Sequence, residues 1–351
     1  MPVKIGIIGC GAIGQRRHIP EAAANKDAQL VAVCDVNKPR AMEVAAKFEC
    51  DAYSDFKTML KKADLDAVVV GTPNKFHAPQ TIASLDAGKH VLVEKPMAAT
   101  RKEARDMIAA AKKNKKFLMV GQNQRLMPPH KKAKEIMDSG RLGRPLTFTT
   151  SFKHPGPDGW SLDGAKSWFF RKPEAVMGVC GDLGVHKADL MRFLLDQEFS
   201  EVCGFIGTLD KKYPAGAKNS GKRIDVDDNA FITLRTAQGV IGTMTISWTN
   251  YGSIEDNGTI IFCEKGVLQI GTDPNYGVVV NYRDGGKEFY KLGAIATNTR
   301  QVASGIMDMF VSSILKGKNP PIDGEEGYKS LDVIITSIEA AQQGKTLRVG
   351  R

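Results

Sequence analysis

Short apolar runs alternate with amphipathic stretches over the first 125 residues of the chain. The stretches between the runs repeat their apolar positions at helical spacing. The runs predict strands at 3–9, 29–35, 65–71, 90–94 and 117–121, and the stretches predict helices at 14–25, 38–48, 77–87 and 99–115. Strands that are apolar on both faces and alternate with helices are typical of a doubly wound parallel sheet.

The pattern changes after residue 124, where we place a domain boundary that divides the chain into 1–124 and 125–351. Consecutive strands joined by short turns favour an antiparallel or mixed sheet with helices on one face, so the second domain is predicted to be α+β. Strands are predicted at 145–153, 202–209, 228–236, 240–249, 258–263, 267–271 and 276–282, and helices at 126–143, 185–195, 304–315 and 327–344.

Composition excludes several classes of protein. Of the 351 residues, 42% are hydrophobic and 25% are charged, as in a globular protein with a sizeable core. No apolar run approaches the ~18 residues that a membrane span needs, so we expect no membrane partner. The six cysteines form no C-x-x-C pair, and free thiols suit a reducing cytoplasm. The net charge of +10 is spread along the chain, so we expect no nucleic-acid partner.

The stretch GCGAIG, with Gly9, Gly11 and Gly14, follows the first predicted strand and opens a helix. Such glycines allow a tight turn whose backbone approaches a pyrophosphate at the helix N-terminus. Asp35 closes the second strand 21 residues after Gly14, where a carboxylate would hold ribose hydroxyls. The alternative is a plain strand–helix turn with Asp35 as a cap.

Asp35 also bears on the choice of dinucleotide. A carboxylate repels a 2′-phosphate, so NAD is the expected cofactor. Lys38 and Arg40 lie close by in the sequence, and for that reason NADP is not excluded.

The ends of the predicted strands carry the conspicuous motifs of the first domain. Ligands of open parallel sheets bind outside the carboxyl ends of the strands. Lys95 lies between Glu94 and Pro96 in HVLVEKP, and a residue before proline is biased toward an extended backbone. The strand at 90–94 therefore delivers the Lys95 amine to the edge where a dinucleotide would lie.

The motifs GCGAIG, TPNKFH (72–77), EKP (94–96) and GDLGVHKAD (181–189) resemble those of the Gfo/Idh/MocA oxidoreductases, in order and over nearly the whole chain. The resemblance implies a Rossmann domain and an NAD(P)-dependent oxidoreductase that acts on CH–OH groups. It implies cofactor contacts from Gly9, Gly11, Ala12, Ile13, Gly14, Asp35, Thr72, Pro73, Asn74, His77, Glu94, Lys95 and Asn123. It places Lys95, Asp182 and His186 in the catalytic positions.

Asp182 and His186 are four residues apart, so in a helix they project from the same face. Histidine is a natural general base for an alcohol proton, and Lys95 supplies positive charge where an alkoxide develops. The alternatives are a structural histidine and Asp182 as an N-cap. No third ligand accompanies the pair, so we expect no metal.

The substrate side is predicted less sharply. An irregular stretch at 154–173 contains His154 and Trp168, and long irregular segments in compact proteins are often functional. The alternative is a surface loop that takes no part in a substrate pocket. In GQNQR (121–125) only Arg125 matches the basic positions of the family. The expected substrate contacts are Lys95, Arg125, His154, Trp168, Asp182 and His186.

Three functions are compatible with these residues. The first is a dehydrogenase that oxidises a secondary hydroxyl of a sugar, sugar derivative or cyclitol, or reduces the ketone. The second is a glycosidase that uses NAD transiently, as some relatives do. The third is a non-catalytic dinucleotide sensor, which the presence of Lys95, Asp182 and His186 disfavours. Apolar residues occur at both odd and even positions of 240–250, as in a strand whose two faces are both covered. This pattern predicts a homo-oligomer, a tetramer or a dimer.

Overall fold

The computed structural model describes residues 1–217, 219–252, 255–293 and 303–350. Six parallel strands form the first sheet, in the order β3-β2-β1-β4-β5-β6. Five were predicted, and the missed strand, β3, has only three residues and no apolar run. The strands are β1 (Val3–Ile8), β2 (Ala28–Cys34), β3 (Asp51–Tyr53), β4 (Ala67–Val70), β5 (His90–Val93) and β6 (Leu118–Val120).

Helices pack on the first sheet between its strands. They are α1 (Ile19–Ala24), α2 (Lys38–Phe48), α3 (Phe56–Lys62), α4 (His77–Asp86) and α5 (Arg101–Asn114). The helix predicted at 14–25 begins as a π-helical turn, Gly14–His18, before α1. The capping box of α5 is present: the Thr100 side chain accepts from the Glu103 N–H, and the Glu103 carboxylate accepts from the Thr100 N–H.

A nine-stranded sheet forms most of the second part, in the order β14-β13-β12-β11-β7-β10-β9-β8-β15. Its neighbours pair antiparallel except β7 and β10, which are parallel. The fold class predicted from the sequence is therefore confirmed. The strands are β7 (Pro145–Lys153), β8 (Phe199–Gly207), β9 (Asn229–Thr236), β10 (Ile241–Ser247), β11 (Thr259–Cys263), β12 (Gly266–Ile270), β13 (Val278–Tyr282), β14 (Lys287–Tyr290) and β15 (Leu347–Arg348).

Helices α8 and α10 pack together, and α10 also packs on β8, so one face of the large sheet is covered. The helix predicted at 126–143 is shorter, because a 3₁₀ turn at Asn123–Leu126 precedes it. The helices are α6 (Pro128–Asp138), α7 (Lys172–Ala175), α8 (Val185–Leu195), α9 (Ile306–Lys316) and α10 (Gly324–Gln343). Among the described helices, none is both long enough and apolar enough to cross a membrane.

The C-terminal helices return to the first sheet. The Val120 N–H at the end of β6 donates to the carbonyl of Ile322 at 2.9 Å, and α10 packs on α5. Residues beyond 303 therefore contact both sheets. The boundary near residue 124 stays a prediction.

Candidate functional site

Each glycine of the loop after β1 meets a different requirement. Gly9 has a φ of +107°, and a Cβ atom there would lie 2.4 Å from the Gly71 carbonyl oxygen. A Cβ atom on Gly14 would lie 2.2 Å from the Gly9 carbonyl oxygen, whereas one on Gly11 would meet no atom within 4 Å. Gly9 and Gly14 thus close the turn, and Gly11 leaves room for a ligand to approach the backbone.

Asp35 follows β2 and holds this loop. Its Oδ2 accepts from the Cys10 N–H at 2.9 Å, and its Oδ1 accepts from the Asn37 N–H at 2.8 Å. The N-cap of α2 is Asn37, not Asp35. Asp35 and Arg40 line the same cavity, whereas Lys38 is exposed outside it.

His77 links two strand ends. Its Nδ1 lies 2.8 Å from the Pro96 carbonyl oxygen, and its Nε2 lies 2.8 Å from the Thr72 carbonyl oxygen. Burial lowers the pKa of His77, against the opposing effect of both carbonyls. The ring ties the loop after β4 to the loop after β5. Asn74 connects this edge to the second part of the chain, because its Nδ2 donates to the Ala175 carbonyl at 2.8 Å.

Glu94, at the end of β5, is buried in a cluster of charges. Arg17 donates to its Oε1 at 3.1 Å, and His18 Nε2 donates to the same oxygen at 2.8 Å. Burial acts to raise the pKa of Glu94, but the His18 hydrogen bond and the Arg17 charge outweigh it and hold that pKa well below its usual range. A Cβ atom on Gly121 would lie 3.0 Å from Oε1, so the glycine leaves space for the carboxylate.

Lys95 points across the cavity to Asp182. The Lys95–Pro96 peptide bond is cis. Lys95 Nζ donates to Asp182 Oδ1 at 2.9 Å and to the Asp182 backbone carbonyl at 2.8 Å. The indole N–H of Trp248 donates to Asp182 Oδ2 at 3.1 Å. An ammonium group has three N–H bonds, so one remains for a ligand.

His186 enters the same cavity from the first turn of α8. Asp182 precedes it on a π-helical turn, Cys180–Gly184, a geometry that is frequent at functional sites. Burial first, and then the charge of Lys95, lower the pKa of His186 well below its usual value. Its Nδ1 is buried and has no hydrogen-bond partner among the described residues. The lowered pKa makes the ring neutral near neutral pH, and a neutral imidazole has one nitrogen that can accept a proton.

His154 lies behind Asp182 and does not line the cavity. Its Nδ1 accepts from the Gly156 N–H at 2.9 Å, so in the neutral ring the proton is on Nε2. That Nε2 lies 4.0 Å from Asp182 Oδ2. Burial lowers the pKa of His154. His154 thus faces the carboxylate that Lys95 also contacts, and its direct contact with substrate stays a prediction.

Arg125 likewise does not line the cavity. Its guanidinium donates to both oxygens of Asp189, at 2.7 and 2.6 Å, and to Glu326 Oε2 at 2.9 Å. The Phe193 ring lies 5.4 Å from the guanidinium carbon. These carboxylates occupy the side chain in this structure, and the substrate contact of Arg125 stays a prediction.

A cavity of about 620 Å³ lies outside the carboxyl ends of the first sheet. Gly14 lies beneath the glycine loop and does not line it. Most of the predicted site residues do line it: Gly9, Gly11, Ala12, Ile13, Asp35, Thr72, Pro73, Asn74, His77, Glu94, Lys95, Asn123, Trp168, Asp182 and His186.

The irregular segment 154–173 forms an aromatic wall on the second-sheet side of this cavity. Trp168 stacks on Phe169 with ring centroids 3.9 Å apart, and Trp160 meets Phe169 edge-on at 5.0 Å. Phe170 packs edge-on against Trp248 at 5.9 Å. The indole N–H of Trp160 is buried without a partner among the described residues. The segment therefore lines the cavity, which favours the predicted pocket role over a surface loop.

NAD fits the residues of this cavity. The free space over Gly11, at the start of a helix, suits a pyrophosphate. Asp35 stands where ribose hydroxyls are held in dinucleotide-binding sheets. Lys95 and His186 lie together in the same cavity, where a substrate would meet the dinucleotide.

Sequence reasoning missed two residues of this site. Trp248 continues the alternation of buried residues that begins with Met244 and Ile246 on β10, and that alternation was the available signal. Arg17 lies nine residues after the end of β1, and its partner Glu94 is 77 residues away, so no local pattern marks it.

The chain matches known proteins over most of its length. A profile described as an oxidoreductase family with an NAD-binding Rossmann fold matches residues 3–122, and one for the Gfo/Idh/MocA C-terminal domain matches residues 130–269. Levoglucosan dehydrogenase of Pseudarthrobacter phenanthrenivorans is 30% identical over 284 residues, 73% of this chain and 72% of that protein. Myo-inositol 2-dehydrogenase of Thermotoga maritima is 28% identical over 331 residues, 94% of this chain and 93% of that protein.

A solved structure of a levoglucosan dehydrogenase in complex with NADH and L-sorbose superposes on this chain with a TM-score of 0.87 at 25% identity, and the match covers 100% of both chains. The similarity thus extends through both sheets and the cavity between them. At this identity and coverage, the chain belongs to the Gfo/Idh/MocA family and is an NAD-binding oxidoreductase.

Proposed function

We propose that the protein is a dehydrogenase that oxidises a secondary hydroxyl of a sugar, sugar derivative or cyclitol with NAD, or reduces the corresponding ketone. One observation carries the proposal. Lys95, Asp182 and His186 meet in the cavity that also holds the glycine loop and Asp35. A hydroxyl bound there would be next to a cation and a neutral base.

The three side chains have distinct roles in this proposal. The third N–H of Lys95 donates to the substrate oxygen and stabilises negative charge as it develops there. Neutral His186 accepts the hydroxyl proton, for which its lowered pKa keeps it available. Asp182 orients the Lys95 ammonium through Oδ1 and its own carbonyl. When bound, the nicotinamide supplies the hydride acceptor.

The substrate class rests on the aromatic wall and on the named relatives. Trp168 and Phe169 stack on each other and both line the cavity, and an outer ring face of such a pair suits the C–H face of a sugar ring. The relatives act on levoglucosan and on myo-inositol, as their names state. NAD is the preferred cofactor in this proposal because Asp35 lines the ribose end.

A substrate screen tests this function. Polyols, cyclitols, sugars and glycosides are incubated with NAD or with NADP, and absorbance at the reduced-nicotinamide band is followed. We expect net NADH formation with a free sugar, anhydrosugar or cyclitol, at higher kinetic efficiency than with NADP. Release of an aglycone from a glycoside without net NADH would instead favour a glycosidase. Binding of NADH with no turnover in the screen would favour a sensor.

A homo-oligomer is proposed from the open face of the large sheet. Phe205 on β8 is paired with Phe231 on β9, and both are exposed on that face. Phe262 on β11 is exposed there as well. The outward residues of β10 are Ile241 and two threonines, so the apolar surface is carried mainly by the neighbouring strands. A second copy would cover it. A monomeric mass by light scattering at micromolar concentration would refute this proposal.

A further inference from the structure

An ion pair joins the two walls of the cavity at the end that holds Asp35. Nη2 of Arg40 lies 3.4 Å from Oδ1 of Asp163. Arg40 is in the first turn of α2, just after Asp35, and Asp163 belongs to the irregular segment 154–173 on the opposite wall. Asp35, Arg40 and Asp163 all line the cavity. Arg40 therefore lies with Asp35 on its own wall and with Asp163 on the opposite wall, and Asp55, which follows β3, also lines the cavity.

The position of Asp163 is set by its own segment. The Gly164 N–H donates to the Ser161 carbonyl at 3.1 Å, and the Lys166 N–H donates to the Asp163 carbonyl at 3.0 Å. Ser161 Oγ also donates to Ser167 Oγ at 2.9 Å. These successive turns hold the Asp163 carboxylate at a defined place opposite Arg40.

The charged groups at this end of the cavity determine the preference between NAD and NADP. A carboxylate after the second strand accepts hydrogen bonds from ribose hydroxyls and repels a 2′-phosphate, whereas a nearby arginine accommodates that phosphate. Arg40 is the cation beside Asp35 that lines the cavity, since Lys38 is exposed outside it. Arg16 also lines the cavity, but it follows the glycine loop, at the pyrophosphate end. Arg40 is thus the group that would receive a 2′-phosphate.

We propose that Asp163 is a cofactor-specificity residue that acts from the opposite wall. By pairing with Arg40, it occupies the guanidinium that a 2′-phosphate would need, and it adds a second negative charge to that of Asp35. The inference rests on the proposed adenosine position beside Asp35. NADP is excluded jointly by Asp35, which repels the phosphate, and by Asp163, which withholds the compensating cation.

Equilibrium binding tests the inference without a substrate. NADH and NADPH are titrated into the purified protein, and the dissociation constants are measured from the fluorescence of the bound nicotinamide. We expect Asp163→Asn to tighten NADPH binding about threefold, the scale of an exposed ion pair, and to leave NADH binding within about twofold. In an Asp35→Ser background the same change should tighten NADPH binding by a larger factor, because the phosphate can then reach Arg40.

Two further variants test whether release of Arg40 causes the gain in NADPH affinity. Arg40→Gln combined with Asp163→Asn should abolish the gain in NADPH affinity, because the released cation is gone. Asp158→Asn removes a carboxylate of the same segment that pairs with Lys211 at 2.9 Å, and it should leave NADPH affinity unchanged.

The outcomes separate this inference from the proposed function. If NADH binds normally and Asp163→Asn changes NADPH affinity in neither background, the role of Asp163 is overturned while the dehydrogenase proposal stands. If Asp158→Asn gives the same gain as Asp163→Asn, a general charge effect replaces the specific pair. If the wild-type protein binds neither dinucleotide, the adenosine position and the role of Asp163 are both overturned.

Discussion

The two walls of the cavity are built in different ways. The first-sheet wall consists of strand ends, so Asp35, Glu94 and Lys95 are placed by the backbone of a parallel sheet. The opposite wall consists of a π-helical turn, the first turn of α8, the irregular segment 154–173 and Phe152 of β7. Its polar groups reach the cavity from elements that share no common edge.

The walls also balance charge differently. The Glu94 carboxylate pairs with Arg17 and accepts a hydrogen bond from His18, both on its own wall. Asp182 instead receives its cation, Lys95, from across the cavity. The Arg40–Asp163 pair crosses the cavity at its other end. The difference teaches that the charge of Glu94 is balanced within one wall, whereas Lys95 and Asp182 balance each other only when the walls meet.

Replacing the base on the second wall should have the largest effect. We expect His186→Asn to lower turnover by ~10²–10⁴-fold, as loss of a positioned proton acceptor does. Cofactor affinity should change little, because the glycine loop and Asp35 belong to the other wall. Steady-state kinetics and NADH titration of the same variant measure both quantities. A variant that turns over normally would remove His186 from the chemistry and leave the second wall a binding surface only.

Replacing the cation on the first wall comes next. We expect Lys95→Ala to lower turnover by roughly 10²–10³-fold, because the group that stabilises the developing alkoxide is lost. It should also raise KM, since the same ammonium contacts the bound hydroxyl. The unpaired Asp182 would then hold an uncompensated charge. Near-normal turnover of Lys95→Ala on the true substrate would contradict this role.

Replacing Glu94, the neighbour of Lys95, should lower stability more than turnover. Glu94→Gln replaces the buried carboxylate beside Arg17 by a neutral amide, so the free energy of unfolding should fall by about 3 kcal/mol. Turnover per folded molecule should fall much less than in Lys95→Ala. Urea unfolding alongside kinetics separates the two effects. A loss of turnover in Glu94→Gln as large as that in Lys95→Ala, with unchanged stability, would show that Glu94 belongs to the reacting groups.

The first wall was predictable from the sequence because the backbone of a single sheet places its residues. In a parallel sheet, the residues that follow successive strands share one edge, so finding the strands also finds Asp35 and Lys95. The predicted bounds of α2, 38–48, agree with the structure for a related reason, since Asn37 and Pro39 mark the start of that helix in the local sequence.

The second wall could not be predicted to the same depth. Arg125 matched a family position, but its partner carboxylates, Asp189 and Glu326, are 64 and 201 residues away. Nothing local indicates that pairing. The Trp248–Asp182 bond likewise joins residues 66 apart. Asp182 and His186 both line the cavity, but the π-helical turn that holds Asp182 left no sequence signal.

The neutral histidines behind the second wall predict a dependence of stability on pH. Burial, with a smaller contribution from the charge of Lys187, lowers the pKa of His130 from 6.5 to about 3. Between these values the unfolded chain binds a proton that the folded chain does not. The stability present above pH 6.5 is therefore lost as pH falls, by about 2 kcal/mol at pH 5 for this residue alone.

His130→Gln tests that dependence. Nδ1 of His130 lies 2.7 Å from the Gln124 carbonyl oxygen, and a glutamine amide also supplies a donor without titrating. The drop in unfolding free energy between pH 7 and pH 5 should be about 2 kcal/mol smaller in the variant, measured by urea unfolding at both values. Identical drops in the two proteins would mean that His130 is protonated in the folded state.

The smallest expected effect concerns the residue that couples the aromatic wall to the reacting groups. Trp248→Phe removes the donor to Asp182 Oδ2 but keeps a ring that packs against Phe170. Asp182 would then be held only through Lys95, and we expect turnover to fall about tenfold with NADH affinity unchanged. Phe170→Leu is the matched control, since it disturbs the packing of the same indole and leaves its N–H in place. If that control lowers turnover as much as Trp248→Phe, packing of the wall sets the geometry of Asp182 and the hydrogen bond does not. If only Trp248→Phe does so, the second wall positions its carboxylate by a single donor, where the first wall uses the backbone of a sheet.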